Sequence, residues 1–128
     1  MNLNKNCIFC YLPADKKIIY NNSTALCFYD SYPVTKYHTL IIPKRHVADY
    51  FELTTQELKD IAKLLHQQKN NLLELDRSIT GFNIGVNIGE DAGQSIFHVH
   101  IHLIPRRKND MDNPKGGVRG VIPEKQKY

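Results

Sequence analysis

Nothing in this sequence approaches the run of about 20 apolar residues that a membrane-spanning helix requires, and no charged leader with an apolar core precedes a small-residue cleavage site. The expectation is a cytoplasmic protein with no membrane partner. Cysteine occurs only three times, an odd number that argues against a disulfide framework. Aromatic side chains are not interleaved with basic ones in a stacking platform, which makes a nucleic-acid partner unlikely. Charge of one sign does not dominate either. Lys and Arg number 17 against 13 Asp and Glu, a formal +4 that favours an anionic partner without forming a basic tract. The 128 residues, 41% hydrophobic and 23% charged, are expected to form a single domain spanning 1–128.

Against this plain background, residues 94–106 stand out. His98, His100 and His102 recur at every second position, with Val99, Ile101 and Leu103 between them. That is the period of a strand with one imidazole face and one apolar face. Pro105, which has no N–H for a ladder, is expected to end the strand. Three imidazoles in a row need partners for their nitrogens, so simple packing is the least favoured reading. Two chemical readings remain open on the residues alone. The three rings jointly hold a catalytic metal, or the middle ring is a nucleophile and its neighbours serve a substrate.

The preceding segment, Gly81 to Ser95, reads as a second strand running to near Gly89 and then a turn through Gly89, Asp91 and Gly93, making a hairpin with the histidine strand. Small residues at Ala92, Gly93 and Ser95 let backbone N–H groups approach an anion, and Asn87, Gln94 and Ser95 add directional polar groups suited to phosphate oxygens. Lys17–Tyr20 and Ala25–Tyr29 read as short strands, and Asp30 at the end of the second reads either as a solvated loop carboxylate or as a partner for ribose hydroxyls. Phe9, Ile18, Leu26 and Phe28 offer apolar walls for a base. Thr39–Pro43 is a further strand with His38 at its start. Lys44 and Arg45 read as solvated cations before a short helix around Val47–Phe51. Thr54-Thr55-Gln56-Glu57 has the capping-box pattern for a long helix to about Leu75, with Leu58, Ile61, Ala62, Leu65, Leu72 and Leu73 as its apolar face and His66 at its surface. Cys7 and Cys10 form a C-x2-C pair that needs two more donors to close a zinc site, and His46 and His98 are available; Cys27 reads as a small buried hydrophobe.

His98-Val99-His100-Ile101-His102-Leu103-Ile104, preceded by Ala92-Gly93-Gln94-Ser95, resembles the histidine triad (HIT) family, and the resemblance extends back through residues 36–46 and Asp30 to Cys7-Ile8-Phe9-Cys10. It implies an α+β, HIT-like fold: a roughly five-stranded antiparallel sheet with one long and one short helix. The resemblance further implies a homodimeric nucleotidyl hydrolase or transferase working through a nucleotidyl-histidine. His100 is then the nucleophile, His102 and Ser95 bind phosphate oxygens with Gln94 in support, Asn87 contacts phosphate or ribose, and His38 assists proton handling. Cys7, Cys10, His46 and His98 match positions that hold a structural zinc in some branches. No catalytic metal is required, although magnesium can accompany a polyphosphate substrate. The Gly116–Pro123 ending resembles bacterial dinucleoside-polyphosphate hydrolases and lacks the tryptophan-containing ending of the phosphoramidase branch. Adenosine phosphoramidates remain the alternative substrate, and a three-histidine metal hydrolase the alternative mechanism.

Overall fold

A computed structural model describes residues 3–128 as a five-stranded antiparallel sheet of order β1-β2-β3-β5-β4, with one long helix. The strands are β1 (Tyr20–Asn21), β2 (Ala25–Tyr29), β3 (Thr39–Pro43), β4 (Ile79–Gly85) and β5 (Ile101–Arg107), and the helix is α1 (Thr55–Leu75). This is the expected α+β architecture. No described helix is long and apolar enough to cross a membrane.

The sheet is apolar on both faces. Alternate residues Ala25, Cys27, Ile41, Ile101 and Leu103 pack with Ile61, Leu64 and Leu72 of α1. On the opposite face Phe28, Leu40 and Ile42 meet Phe9 from the amino-terminal loop. Cys27 is fully buried, as expected, and burial pushes its thiol up to about 11.

The capping box forms as the sequence suggests: Glu57 N–H donates to Thr54 Oγ1 at 3.1 Å, and Thr54 N–H donates to Glu57 Oε1 at 2.9 Å. Glu57 also takes Arg45 Nε and Nη2 at 3.1 and 2.8 Å. Arg45 is therefore not the solvated cation expected; it pins the segment after β3 to the start of α1. The buried stripe of α1 also differs from the expected one. It runs through Glu57, Asp60, Ile61, Leu64, Gln68 and Leu72, and Ala62 is exposed. Asp60 accepts from Thr24 Oγ1 at 2.7 Å and Gln68 donates to Thr39 Oγ1 at 3.0 Å. Polar residues thus sit on the sheet side because the sheet supplies their partners, so hydropathy alone rotates the stripe.

Four further expectations are corrected. The short helix is a single 3-10 turn at Tyr50–Glu52, capped by Asp49, whose carboxylate accepts from Phe51 N–H at 2.8 Å. Val47 does not start it, because its carbonyl is taken by Val99 N–H at 2.8 Å. β1 begins at Tyr20, so Lys17–Ile19 lies outside the ladder. β4 leaves the ladder at Gly85, well short of Gly89; Gly89 and Gly93, at φ 89° and 94°, flank the turn. β5 begins only at Ile101 and runs through Pro105. β3 pairs with it no further than Leu103, and the Pro105 carbonyl faces Thr35 Oγ1 at 2.6 Å on that side. N and C=O of one strand residue point the same way, so the missing N–H faces away from β4 and costs the ladder nothing.

Candidate active site

His102 opposes Leu40 across the β3–β5 ladder, which places the imidazoles on the sheet face away from α1. His100 lies one turn of the alternation earlier, its ring centroid 5.3 Å from that of His102. The partners of Nδ1 in His100, His38 and His102 settle the tautomers. His100 Nδ1 lies 3.0 Å from the His98 carbonyl. A carbonyl only accepts, so Nδ1 carries the hydrogen and Nε2 keeps its lone pair. Val34 N–H donates to His38 Nδ1 at 3.0 Å, so neutral His38 carries its hydrogen on Nε2, which points at His102 Nδ1 at 2.9 Å. His102 Nδ1 therefore accepts, and its own hydrogen sits on Nε2. The result is one imidazole with a free lone pair beside another with a free N–H. The Val34 N–H has no side-chain signature, and sequence reasoning missed it.

Burial, followed by the neighbouring His100 and His38, pushes His102 from its ordinary 6.5 down to about 4, and burial also lowers His38 against the opposing pull of Asp30. Both rings thus stay neutral in the folded protein at neutral pH. Above pH 6.5 the folded and unfolded chains both leave His102 neutral. As pH falls below 6.5 the unfolded chain takes the proton first, so folding stability drops until about pH 4. The expected outcome is that the denaturation midpoint of the wild type falls across that window more steeply than that of His102→Asn. Parallel profiles would show that His102 titrates normally.

The sequence-predicted residues fall into three places. Asp30 and Phe28 line a cleft of about 210 Å³ with Phe9, Leu12, Leu40 and Ile96. Of the expected base walls, Phe9 and Phe28 are there, while Leu26 packs beside them and Ile18 is in neither apolar cluster. Asp30 Oδ2 also lies 3.5 Å from His38 Nε2. Asn87 lines a second cleft of about 450 Å³ on the other side of His38 and His102. Ser95 is exposed at a third hollow, beside Cys7, His46 and Ile96. The buried carboxamide of Gln94 accepts from Gly89 N–H at 2.9 Å and donates to the carbonyls of Ala48 and Ile96 at 2.6 and 3.1 Å, which clasps the loop shut. Arg106 and Arg107 are bonded to Asp110 and Asp76.

His98 faces elsewhere. Its Nε2 donates to the Pro43 carbonyl at 2.8 Å, so Nδ1 keeps a lone pair, and that atom lies 3.5 Å from both Cys7 Sγ and Cys10 Sγ. His46 Nδ1 lies 3.3 Å from Cys10 Sγ. The four donor atoms are within 4.8 Å of one another. Ligands of a tetrahedral zinc at ordinary bond lengths stand about 3.5 Å apart, so this set fits the ion. Phe9, between the two cysteines, meets His98 and His100 edge-on, with centroids 6.1 and 5.2 Å away.

The three triad imidazoles do not converge on a point. His98 turns to the cysteines, His100 to a backbone carbonyl and His102 to His38. Asp30, His38 and His102 do cluster. With Val34 N–H on Nδ1, however, His38 must keep its Nε2 hydrogen, which closes that atom to a cation unless the ring becomes an imidazolate.

Residues 12–109 match the family described as HIT domain. The chain is 34% identical over 106 residues to the asymmetrical bis(5'-nucleosyl)-tetraphosphatase of Schizosaccharomyces pombe, covering 83% of this chain and 58% of that protein. A crystal structure of a HIT family protein from Bacillus anthracis matches with a TM-score of 0.76 at 38% identity, covering 84% of this chain and 77% of that one. A zinc-bound histidine triad family protein from Mycobacterium smegmatis matches with a TM-score of 0.74 at 33% identity, covering 81% of this chain and 77% of that one.

Proposed function

The chain belongs to the HIT domain family and is a nucleotide hydrolase, and from that premise we propose that it cleaves dinucleoside polyphosphates at the α-phosphate through a nucleotidyl intermediate on His100. The observation that carries this reading is the His100 Nδ1–H bond to the His98 carbonyl, which leaves Nε2 free to attack. In the first step the Nε2 lone pair forms a bond to the α-phosphorus. The bond from that phosphorus to the bridging oxygen breaks, and the electron pair leaves with the departing polyphosphate. The ring gains positive charge as it does so, and the carbonyl on Nδ1–H stabilises it. The Nε2–H of His102 donates to a phosphoryl oxygen as charge gathers there. In the second step water attacks the same phosphorus, the P–N bond breaks, and its pair returns to Nε2 as the water proton passes to solvent.

Asp30, at the cleft with Phe28 and Phe9, binds the ribose hydroxyls of the nucleoside that stays, and Asn87 and Ser95 bind phosphate oxygens. His38 positions His102 by fixing its tautomer. Cys7, Cys10, His46 and His98 hold a structural zinc, which supplies a cross-link between the amino-terminal loop and the triad segment. The tetraphosphatase relative supports a dinucleotide substrate.

The test is intact mass spectrometry of wild-type protein quenched shortly after mixing with diadenosine tetraphosphate or, separately, adenosine 5'-phosphoramidate. One adenylyl group per chain and release of AMP are expected, with the dinucleotide reacting faster. Turnover with no adduct at any quench time counts against the covalent intermediate, and faster reaction of the phosphoramidate moves the chain to the alternative substrate.

A further inference from the structure

The chain beyond β5 folds back over the site. Asp110 accepts from Arg106 Nε and Nη2 at 2.9 and 2.8 Å and from Arg107 N–H at 3.0 Å, which turns the chain around. Two 3-10 turns follow, Gly117–Val121 and Pro123–Lys125. Gly116, at φ 89°, lies so close under the Gln126 carbonyl that no Cβ fits there. The Gln126 carboxamide donates to the carbonyls of Asn113 and Lys115, each at 3.3 Å. Arg119 Nε donates to the Lys125 carbonyl at 3.1 Å, and its guanidinium lies 4.9 Å over the Tyr128 ring. The ending is thus a built element with its own hydrogen bonds.

What it builds is the far wall of the cleft of about 450 Å³ whose near wall includes His38 and His102. That volume is within the ordinary range for small-molecule sites. The lining chemistry is selective. Carboxamides come from Asn83, Asn87 and Gln126, apolar surface from Ile104, Met111 and Val118, and no Asp, Glu or Lys lines it among the described residues. The Arg106 guanidinium there is already bonded to Asp110 and to Asn83 Oδ1. An ammonium-like leaving group calls for a carboxylate, and a bare polyphosphate calls for free cations. Carboxamides over apolar walls suit a flat heterocycle with mixed donors and acceptors, because Asn83 keeps its amide N–H groups and Gln126 its carbonyl oxygen after the bonds to Arg106, Asn113 and Lys115 are made.

We propose that this cleft is a second nucleoside site, in which the ending of the chain holds the base of the departing half of a dinucleoside polyphosphate. The inference rests on the reading of His100 as nucleophile. With the retained nucleoside in the Asp30 cleft and the α-phosphate at His100, the phosphate chain passes His102 and delivers the second base between Asn83 and the tail. The tail is therefore a specificity element that acts on the leaving group and leaves the adenylyl half untouched.

The test compares diadenosine tetraphosphate with adenosine 5'-tetraphosphate, which has the same phosphate chain and lacks the second nucleoside, on full-length wild type, Val118→Trp and Met111→Trp. Both positions are surface-exposed, so the folds are expected to hold, which thermal midpoints check. The wild type is expected to favour the dinucleotide by about ten-fold or more in kcat/KM, and each variant to lose most of that preference through the dinucleotide while adenosine 5'-tetraphosphate changes by less than about two-fold. No preference in the wild type, or equal losses on both substrates, overturns the second site while leaving the His100 adduct intact. Turnover without an adduct on His100 in the wild type takes down the underlying reading and this one with it.

Discussion

Replacing His100 with alanine is expected to lower kcat/KM for diadenosine tetraphosphate by about 10⁴-fold or more, since nothing else in the site offers an equivalent lone pair to the phosphorus. The clefts on either side are formed by other residues, so nucleotide affinity is expected to change by less than about ten-fold, which isothermal titration with a slowly turned-over nucleotide measures. His102→Asn is expected to cost less, about 10²-fold to 10³-fold, because it removes one donor from the developing charge and leaves the nucleophile in place. The order of the two losses carries the argument. If His102→Asn proves as damaging as His100→Ala, or if His100→Ala still turns over at wild-type rates, His100 is not the attacking group. The buried face of His100 also matters here. Its Nδ1–H bond is to a backbone carbonyl, so no side-chain substitution removes it, and the tautomer survives changes elsewhere in the site.

Zinc removal is expected to have the next largest effect. Purified protein is expected to carry about one zinc per chain, and Cys10→Ser to lose it along with about 3–4 kcal/mol of stability, a fall in Tm on the order of 10–15 °C. The four donors come from three separated parts of the chain, and a zinc held by them would join the loop at residues 7–10 to the segment after β3 and to the start of the triad. Loss of the cross-link frees Phe9, which stands against the His100 ring and packs on Phe28 with ring centroids 5.6 Å apart. The KM of Cys10→Ser is therefore expected to rise even at temperatures where the domain stays folded. Wild-type protein stripped of metal that keeps the Tm of the zinc-loaded form would remove zinc from the account.

The histidine row, the Thr39–Pro43 strand and the helix from its capping box to Leu75 were legible because each rests on a local rule: period two, a β-branched run, a reciprocal cap. Cys7, Cys10, His46 and His98 were legible only through resemblance, because spacing within the chain says nothing about which donors meet. The misreadings have a common physical source. Gln94, Arg45, Asp60 and Gln68 are polar residues whose partners lie far away in sequence, and hydropathy cannot place such residues. The structure spends them on Ala48, Glu57, Thr24 and Thr39. Pro105 was misplaced for a related reason, since a strand boundary on one side does not end the strand on the other. The folded ending was illegible altogether, because its closure depends on a Gly116–Gln126 approach that no short pattern announces.

The strand order has a consequence for how the protein is made. Of the five described strands β5 leaves the ribosome last, yet it lies between β3 and β4. Until about residue 107 has emerged, the growing chain holds two strands with open edges and no shared neighbour, the condition in which β proteins pair with the wrong chain. The segment that carries the histidine row is also the one that joins the two halves of the sheet. A chain interrupted before it lacks both His100 and the strand that joins β3 to β4, so incomplete synthesis is expected to yield aggregates in place of a folded but inactive product.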